Sequence, residues 1–357
     1  MEQVLQELRK EAKVQLFHYP VFTKKQDIKY LIKRLLRPAN TPKRDPFFWT
    51  HAMLAQGLEE AGELEVLRQY YDLWIERDLP VHNVDNIMNG YSLLYVYEQT
   101  KDEKYKAVAD KLYQYLLQYK SEMKETIPYR KNHPTHIYVD GLGMIVPFLC
   151  RYGRMFGNQE AIKLGVLQMK EFVEQGMDKT SGLPYHGYDL KTNVKYGIIG
   201  WGRAVGWLLL AMADSYEYLE KEDREWLGKV YQKFLQDSLQ YLREDGYFSW
   251  QLPAKEGPKD TSATAMIGYA LQKAMELGVI NRVSEVAFEK MTDGVTYNFE
   301  KMVAGMECAI RASVKQGKIM DCSGECEGFS QYPQVYGAYP WSLGPGLRFL
   351  LMRKQIC

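Results

Sequence analysis

Asn83-Val84-Asp85-Asn86-Ile87 and Tyr138-Val139-Asp140-Gly141-Leu142 are the two stretches from which the fold can be read. Each sets a Val-Asp pair at the head of an apolar run with helical spacing, and the aspartates lie 55 residues apart. Each is followed by the same pattern of apolar helix, tight polar break and second helix. After Asp85, Leu93, Leu94, Val96 and Tyr97 begin a face, Thr100-Lys101-Asp102-Glu103 interrupts it, and Tyr105, Val108, Leu112, Tyr115 and Leu116 resume it. After Asp140, Val146, Phe148 and Leu149 lead to Gly157-Asn158, then Ile162, Leu164, Met169 and Phe172.

Three more copies are legible. Leu208, Leu210 and Met212 lead to Glu220-Lys221-Glu222, then Trp226, Val230, Phe234 and Leu239. Met53, Leu54 and Leu58 precede Ala61-Gly62, then Leu67, Tyr71 and Trp74. Met266, Tyr269 and Leu271 precede Leu277-Gly278, then Val283, Val286 and Phe288. The anchors Asp85, Asp140, Trp201 and Asp260 are separated by 55, 61 and 59 residues. Self-similarity at this period predicts stacked helix pairs rather than a mixed sheet. With the N-terminal helices and a last helix over 343–352 the count reaches six pairs, enough to close a double ring. The expected fold is therefore an all-α (α/α)6 barrel, with residues 1–357 forming one domain.

In a closed double ring the inner helices are covered on all sides and should be apolar and rich in small residues. The runs Gly141–Val146 and Ala204–Ala211 read that way, whereas the helices after each break carry the charge. The loops at 128–138, 182–200 and 246–261 are long and rich in Pro, Gly and aromatics, the composition of loops that carry function.

Composition narrows the partners. A net charge of +1 without a basic block speaks against nucleic acid. The amphipathic N-terminal run has no long apolar segment, so neither a secretory signal nor membrane insertion is expected. The five cysteines, at 150, 308, 322, 326 and 357, form no spaced framework and read as reduced thiols of a cytoplasmic protein, without a metal site. Aromatic content of 13%, with 27 Tyr and 7 Trp, is high: aromatics beyond core need often line carbohydrate or other amphipathic ligand sites, although tyrosine as helix-packing filler is the commoner explanation.

Asp85 and Asp140 are the leading candidates for chemistry. A lone aspartate at a helix start is commonly an N-cap, stabilising by about 1 kcal/mol. Two at equivalent positions of successive repeats would face one another at one end of the ring. There one carboxyl is raised in pKa and can act as an acid near neutrality. Trp201-Gly202-Arg203-Ala204-Val205-Gly206-Trp207 brackets a guanidinium with two indoles, a combination that suits an acidic sugar although a buried Trp pair with a structural Arg would also produce it. His186, in Leu183–Asp189, falls at the same end. The cations of Tyr129–His136, Lys131 among them, either bind an anion or form a solvated loop. Asp260-Thr261-Ser262 reads as an N-cap followed by packing residues. No phosphate-binding loop, zinc spacing or strand-framed Ser nucleophile is present.

Taken in order, these motifs resemble the unsaturated uronyl hydrolases of glycoside hydrolase families 88 and 105, most closely the unsaturated rhamnogalacturonyl hydrolases of family 105. The matching text is Val84–Ile87, Val139–Met144 with Pro147-Phe148, Tyr185–Asp189, Trp201-Gly202-Arg203 with Gly206-Trp207, and Thr261–Met266. The resemblance runs from about Trp49 to the C-terminus and implies an (α/α)6 barrel. It implies release of a 4,5-unsaturated uronic acid from the non-reducing end of lyase-generated oligosaccharides, by hydration of a vinyl ether. Under it Asp140 is the general acid/base and Asp85 its partner. Arg203, Trp201, Trp207, His186, Lys131, Met144 and Trp49 contact the sugar, and neither metal nor organic cofactor is needed. The expected partner is an unsaturated uronyl di- or oligosaccharide, with the protein a monomer or small homo-oligomer. Tyr129 stands where relatives place a His, and Cys322–Tyr332 departs from the family pattern. Three other readings compete: an unsaturated glucuronyl hydrolase acting on other acidic polysaccharide fragments, a sugar epimerase or isomerase on the same barrel, which would use paired histidines, and a non-catalytic helical-repeat binding protein.

Overall fold

The breaks between paired helices are made by a repeated local device. Lys101, at φ 55°, ends one helix in the left-handed region, and the Asp102 side chain caps the next by accepting from Lys104 N–H at 3.1 Å. Gly157, at φ 66°, and Asn158, which accepts from Ala161 N–H at 3.1 Å, do the same one repeat later. A left-handed stop followed at once by an N-cap reverses the chain without leaving helix-end groups unpaired.

The computed structural model describes residues 1–19, 24–37, 47–286 and 295–354. In chain order the helices are α1 (Glu2–His18), α2 (Lys24–Leu36), α3 (Trp49–Glu60), α4 (Leu64–Glu76), the single turn α5 (Val84–Ile87), α6 (Asn89–Thr100) and α7 (Glu103–Tyr119). They continue as α8 (Val139–Phe156), α9 (Gln159–Gln175), α10 (Gly202–Ala213), α11 (Lys221–Leu239), α12 (Thr261–Glu276), α13 (Phe299–Ala312) and α14 (Pro340–Lys354). No described helix is long and apolar enough to cross a membrane.

The inner ring runs α3, α6, α8, α10, α12, α14 and returns from α14 to α3, each packed on the next. The outer ring consists of α4, α7, α9, α11, α13 and α1. The (α/α)6 barrel expected from the repeats is therefore present. The N-terminal helices do not form a pair with one another. Instead α1 lies against both α14 and α3, so the first helix supplies the outer partner where the ring closes. Outside this set of twelve, α2 leaves Ile28, Leu31, Ile32, Leu35 and Leu36 exposed.

Burial follows the inner and outer assignment. Every residue of α10 from Gly202 to Ala213 is buried, whereas α7 buries only the stripe Tyr105, Val108, Ala109, Leu112, Tyr113 and Leu116. Close contact between inner helices requires glycine at selected points. A Cβ on Gly143 of α8 would sit 2.5 Å from Trp207 of α10, and one on Gly344 of α14 would sit 2.1 Å from the Met53 carbonyl of α3.

One part of the repeat reading is corrected. Val283 and Val286 do not continue an outer helix. They lie in a strand paired with Val295–Asn298, and the outer helix of that repeat is α13. The spacing of the two valines fits a helix, but β-branched side chains also suit a strand, and so short a run does not distinguish them. Phe288 and Cys357 lie outside the described residues.

Short strands cover the end of the barrel at which the inner helices begin. β1 (His136–Tyr138), β2 (Gly187–Asp189) and β3 (Lys195–Tyr196) form an antiparallel sheet with Ile137 opposite Tyr188. The hairpin noted above is β4 (Val283–Val286) and β5 (Val295–Asn298), followed by β6 (Val314–Lys315) and β7 (Lys318–Ile319). β8 (Cys322–Ser323) then pairs with β9 (Tyr336–Gly337), and the strap between them lies over the centre of the ring. Away from that end, Arg348 of α14 makes a two-pronged contact with Asp214 at 2.8 and 2.7 Å, and Tyr269 of α12 donates to the same carboxylate at 2.6 Å. The network ties α14 to the end of α10, two places round the ring.

Candidate active site

Inner helices begin at this end, so the residues at their N-termini converge. Trp49 opens α3, Asp85 lies in α5 just before α6, and Asp140 lies in the first turn of α8. Trp201 and Arg203 open α10, Asp260 precedes α12, and Trp341 opens α14. Asp260 is the N-cap the sequence predicts, accepting from Ser262 N–H at 3.0 Å. Asp85 and Asp140 are not caps. Asn83 caps α5 with its own side chain, and α8 has no side-chain cap. Both carboxyls are therefore free of the structural duty that would explain them away.

A cavity of about 50 Å³ is lined by Trp49, Tyr129, Arg130, Tyr138, Asp140, His186, Trp201, Arg203, Trp207, Glu325, Cys326 and Gly328. A larger open groove of about 560 Å³ lies beside Tyr115, Tyr119 and Lys131, but the smaller cavity gathers the indoles and the catalytic candidates. Asp140 Oδ2 lies 3.0 Å from His186 Nε2, with 15% of the Asp140 side chain exposed. Oδ2 itself is buried, and the imidazole contact is too far off line to count as a formed hydrogen bond. Contacts of that kind are common in unliganded active sites and tighten when substrate binds.

Asp85 reaches the cavity through an intermediary. The Tyr129 hydroxyl donates to Asp85 Oδ1 at 2.5 Å, and Tyr129 forms part of the wall. Burial pushes the Asp85 carboxyl up to about 6, opposed by the Tyr129 hydrogen bond and reinforced by the charges of Glu325 and Asp140. Burial, then the charges of Asp85 and Asp140, hold the Tyr129 phenol well above its usual range. The two aspartates thus act on one hydroxyl, and burial, more than the pairing of carboxyls, is what raises Asp85.

Arg203 is 2% exposed and stacks on Trp201 at 4.7 Å and Trp341 at 5.7 Å. Its donors hold the strap: Nη1 donates to Ser323 O at 2.8 Å and to Ser323 Oγ at 2.6 Å, and Nη2 donates to Gly324 O at 2.7 Å. Ser323 Oγ in turn donates to Asp260 Oδ2 at 2.7 Å. The guanidinium expected to grip a substrate carboxylate with both prongs is here largely engaged by backbone and hydroxyl oxygens, while still forming part of the cavity wall.

Trp49, Trp201, Trp207 and His186 stand where the sequence places them, on the cavity wall. Two expected sugar contacts do not. Lys131 projects over the rings of Tyr115 and Tyr119, at 5.4 and 5.7 Å, and lines the separate groove. The neighbouring Arg130 is the cation on the site wall. Met144, one turn along α8 from Asp140, is packed into the core at 2% exposure and does not line the cavity.

Glu325 and Cys326 come from the strap and were not anticipated as wall residues. Burial raises the Glu325 carboxyl, with Arg203 opposing the rise, and burial pushes the Cys326 thiol up to about 12, which keeps it protonated. The one sequence signal for them was that Cys322–Tyr332 breaks the pattern of the rest of the chain.

A double ring of helices with carboxyls and indoles gathered at the inner-helix starts is a scaffold of glycoside hydrolases. The profile described as Glycosyl Hydrolase Family 88 matches residues 39–335. The chain is 25% identical over 246 residues to the unsaturated rhamnogalacturonyl hydrolase YesR of Bacillus subtilis, covering 64% of this chain and 71% of that protein. Among solved structures, a possible member of family 105 from Salmonella enterica serovar Paratyphi A superposes with a TM-score of 0.82 at 17% identity, covering 99% of this chain and 94% of that one. The unsaturated glucuronyl hydrolase of Bacillus sp. GL1 superposes with a TM-score of 0.69 at 16% identity, covering 87% and 88% of the two chains. The chain belongs to glycosyl hydrolase family 88 and is a glycoside hydrolase.

Proposed function

We propose that this enzyme releases a 4,5-unsaturated uronic acid from the non-reducing end of lyase-generated oligosaccharides, with rhamnogalacturonan or other pectin fragments as its substrates. The observation that carries this reading is Asp140 on the wall of an indole-lined cavity, next to a second aspartate whose pKa is raised. The polysaccharide assignment draws on the likeness to the rhamnogalacturonyl hydrolase. We read the chain as one catalytic domain acting in the cytoplasm, a setting supported by the free thiols of Cys150, Cys308, Cys322 and Cys326.

In this mechanism a protonated Asp140 delivers its proton to C4 of the unsaturated ring, and the vinyl ether becomes an oxocarbenium ion at C5. A water adds its oxygen to C5 and gives a proton back to Asp140, leaving a hemiketal. The hemiketal opens to a ketone at C5 and a hemiacetal at C1, which collapses to an aldehyde and expels the aglycone as an alcohol. One water is consumed in total and the acid is regenerated. Asp85, through Tyr129, sets the charge around Asp140. The indoles of Trp49, Trp201 and Trp207 offer apolar faces to the ring, and Arg130 and Arg203 offset the uronate charge. The carboxylate-separation rule for ordinary glycosidases does not apply, because the anomeric carbon is not attacked.

The test is incubation with lyase digests of several acidic polysaccharides, followed by ultraviolet absorbance of the conjugated double bond and mass spectrometry. The reading expects loss of the double bond and two fragments whose masses sum to substrate plus one water. An unchanged mass with a rearranged sugar would reject it in favour of an isomerase.

A further inference from the structure

The strap between β8 and β9 fills the place where a sugar would stand. Glu325, Cys326 and Gly328 line the cavity, and Phe329 stacks on Tyr138 at 4.0 Å and on Tyr196 at 5.1 Å. The remaining 50 Å³ has room for a few waters. Ligand pockets start at roughly 300 Å³. A sugar ring and the strap cannot both occupy their present positions, so the strap is displaced as the sugar is admitted.

The same strap carries Tyr332 to the back of His186. The Tyr332 hydroxyl accepts from Ile198 N–H at 3.3 Å and lies 2.9 Å from His186 Nδ1. Burial raises the phenol above its ordinary range, so it keeps its proton. With a backbone N–H already directed at its oxygen, the hydroxyl has its one proton to give to Nδ1. A neutral imidazole that accepts at Nδ1 carries its own proton on Nε2, the nitrogen 3.0 Å from Asp140 Oδ2. Trp201, 4.6 Å from the imidazole, and Tyr138, edge-on at 5.3 Å, fix the ring plane from two other sides.

We propose that Tyr332 is a positioning residue for the hydration reaction: it sets the His186 tautomer that turns Nε2–H onto Asp140 Oδ2 and leaves Oδ1 to address the sugar. The proposal rests on the role of Asp140 given above. The contact is already made in the present structure, so the Tyr332 end of the strap must stay on His186 while Glu325, Cys326 and Gly328 make room for the sugar. Tyr332 itself touches no reacting atom.

Tyr332→Phe keeps the ring and removes only the hydroxyl. The expected result is a kcat lower by about 10- to 100-fold, the usual effect of losing the outer partner of a functional histidine, with KM changed less than about twofold. Nitrogen NMR of protein labelled in its imidazoles, with the His186 signals assigned from a His186→Gln variant, should show the proton on Nε2 in the unaltered enzyme. In Tyr332→Phe it should show a mixture of tautomers. A kcat equal to that of the unaltered enzyme, or a proton found on Nδ1, overturns the proposal. If the unaltered enzyme consumes no lyase product, the functional reading fails, while the NMR measurement still decides the tautomer. Matched thermal unfolding of the two proteins excludes a folding defect as the cause of any loss.

Discussion

Tyr129 and Asp85 are joined by a 2.5 Å hydrogen bond in which the phenol donates to Oδ1. The tyrosine thereby stands between one carboxyl and the cavity, and Asp85 acts on the site through it. The bond favours the ionised carboxylate and works against the burial that raises Asp85 to about 6. Tyr129→Phe should therefore move the Asp85 ionisation to higher pH. The measurement is the pH dependence of kcat/KM, whose Asp85-governed limb should shift upward, and an unmoved limb would separate Asp85 from the rate.

Asp85 also makes stability depend on pH in a direction opposite to that of most surface carboxylates. Its folded pKa, about 6, lies above the reference value of 3.8, so the native state holds a proton that the unfolded chain gives up. Stability from this group is full below about pH 4 and is lost as pH rises toward 6, by on the order of 2–3 kcal/mol. Asp85→Asn should flatten that slope in urea titrations run across the window.

Asp140→Asn keeps the shape of the side chain and removes the transferable proton. Activity on unsaturated uronyl oligosaccharides should fall by about 10²- to 10⁴-fold, with the thermal midpoint nearly unchanged because the side chain caps no helix. A variant retaining most of its rate would take Asp140 out of the mechanism.

Asp214→Ala should be costly for stability. Arg348 is 3% exposed and its two-pronged partner would be gone, leaving a buried guanidinium with Tyr269, Gln56 and, at 4.0 Å, the Glu60 carboxylate as remaining neighbours. Loss of one member of such a pair destabilises by about 3–5 kcal/mol, readable as a lower urea midpoint. The network is remote from the cavity, so the folded fraction should keep its KM.

Gly143→Ala tests the close packing of the inner ring. The added methyl would meet Trp207, itself part of the cavity wall, at 2.5 Å. The helices must part or the indole must turn, at a cost of about 1–3 kcal/mol. Since the indole faces the site, KM should rise together with the loss of stability.

What the sequence disclosed follows from what repeats. The polar breaks and the apolar inner runs recur from one helix pair to the next, and the Val-Asp pair recurs in two of them, so ring order and the positions of Asp85, Asp140, Trp201 and Arg203 could be read from periodicity and motif. Lys131 and Arg130 could not be told apart, because side-chain direction in an irregular loop has no period. Glu325, Cys326 and Tyr332 belong to a strap that occurs once, and its path over the cavity is set where Ser323 accepts from Arg203 and donates to Asp260. Contacts between residues 120 positions apart leave no trace in local pattern.

The place where the ring closes has a consequence for how the protein is made. Helix α14 fills the gap between α12 and α3, and α1 lies across that same seam. Until residues 340–354 have left the ribosome, the inner faces of α3 and α12 have no neighbour on that side, and α1 has only half of its docking surface. The nascent chain must therefore wait for those residues with apolar surface uncovered. Loss of its last described helix would open the whole circle rather than trim one edge.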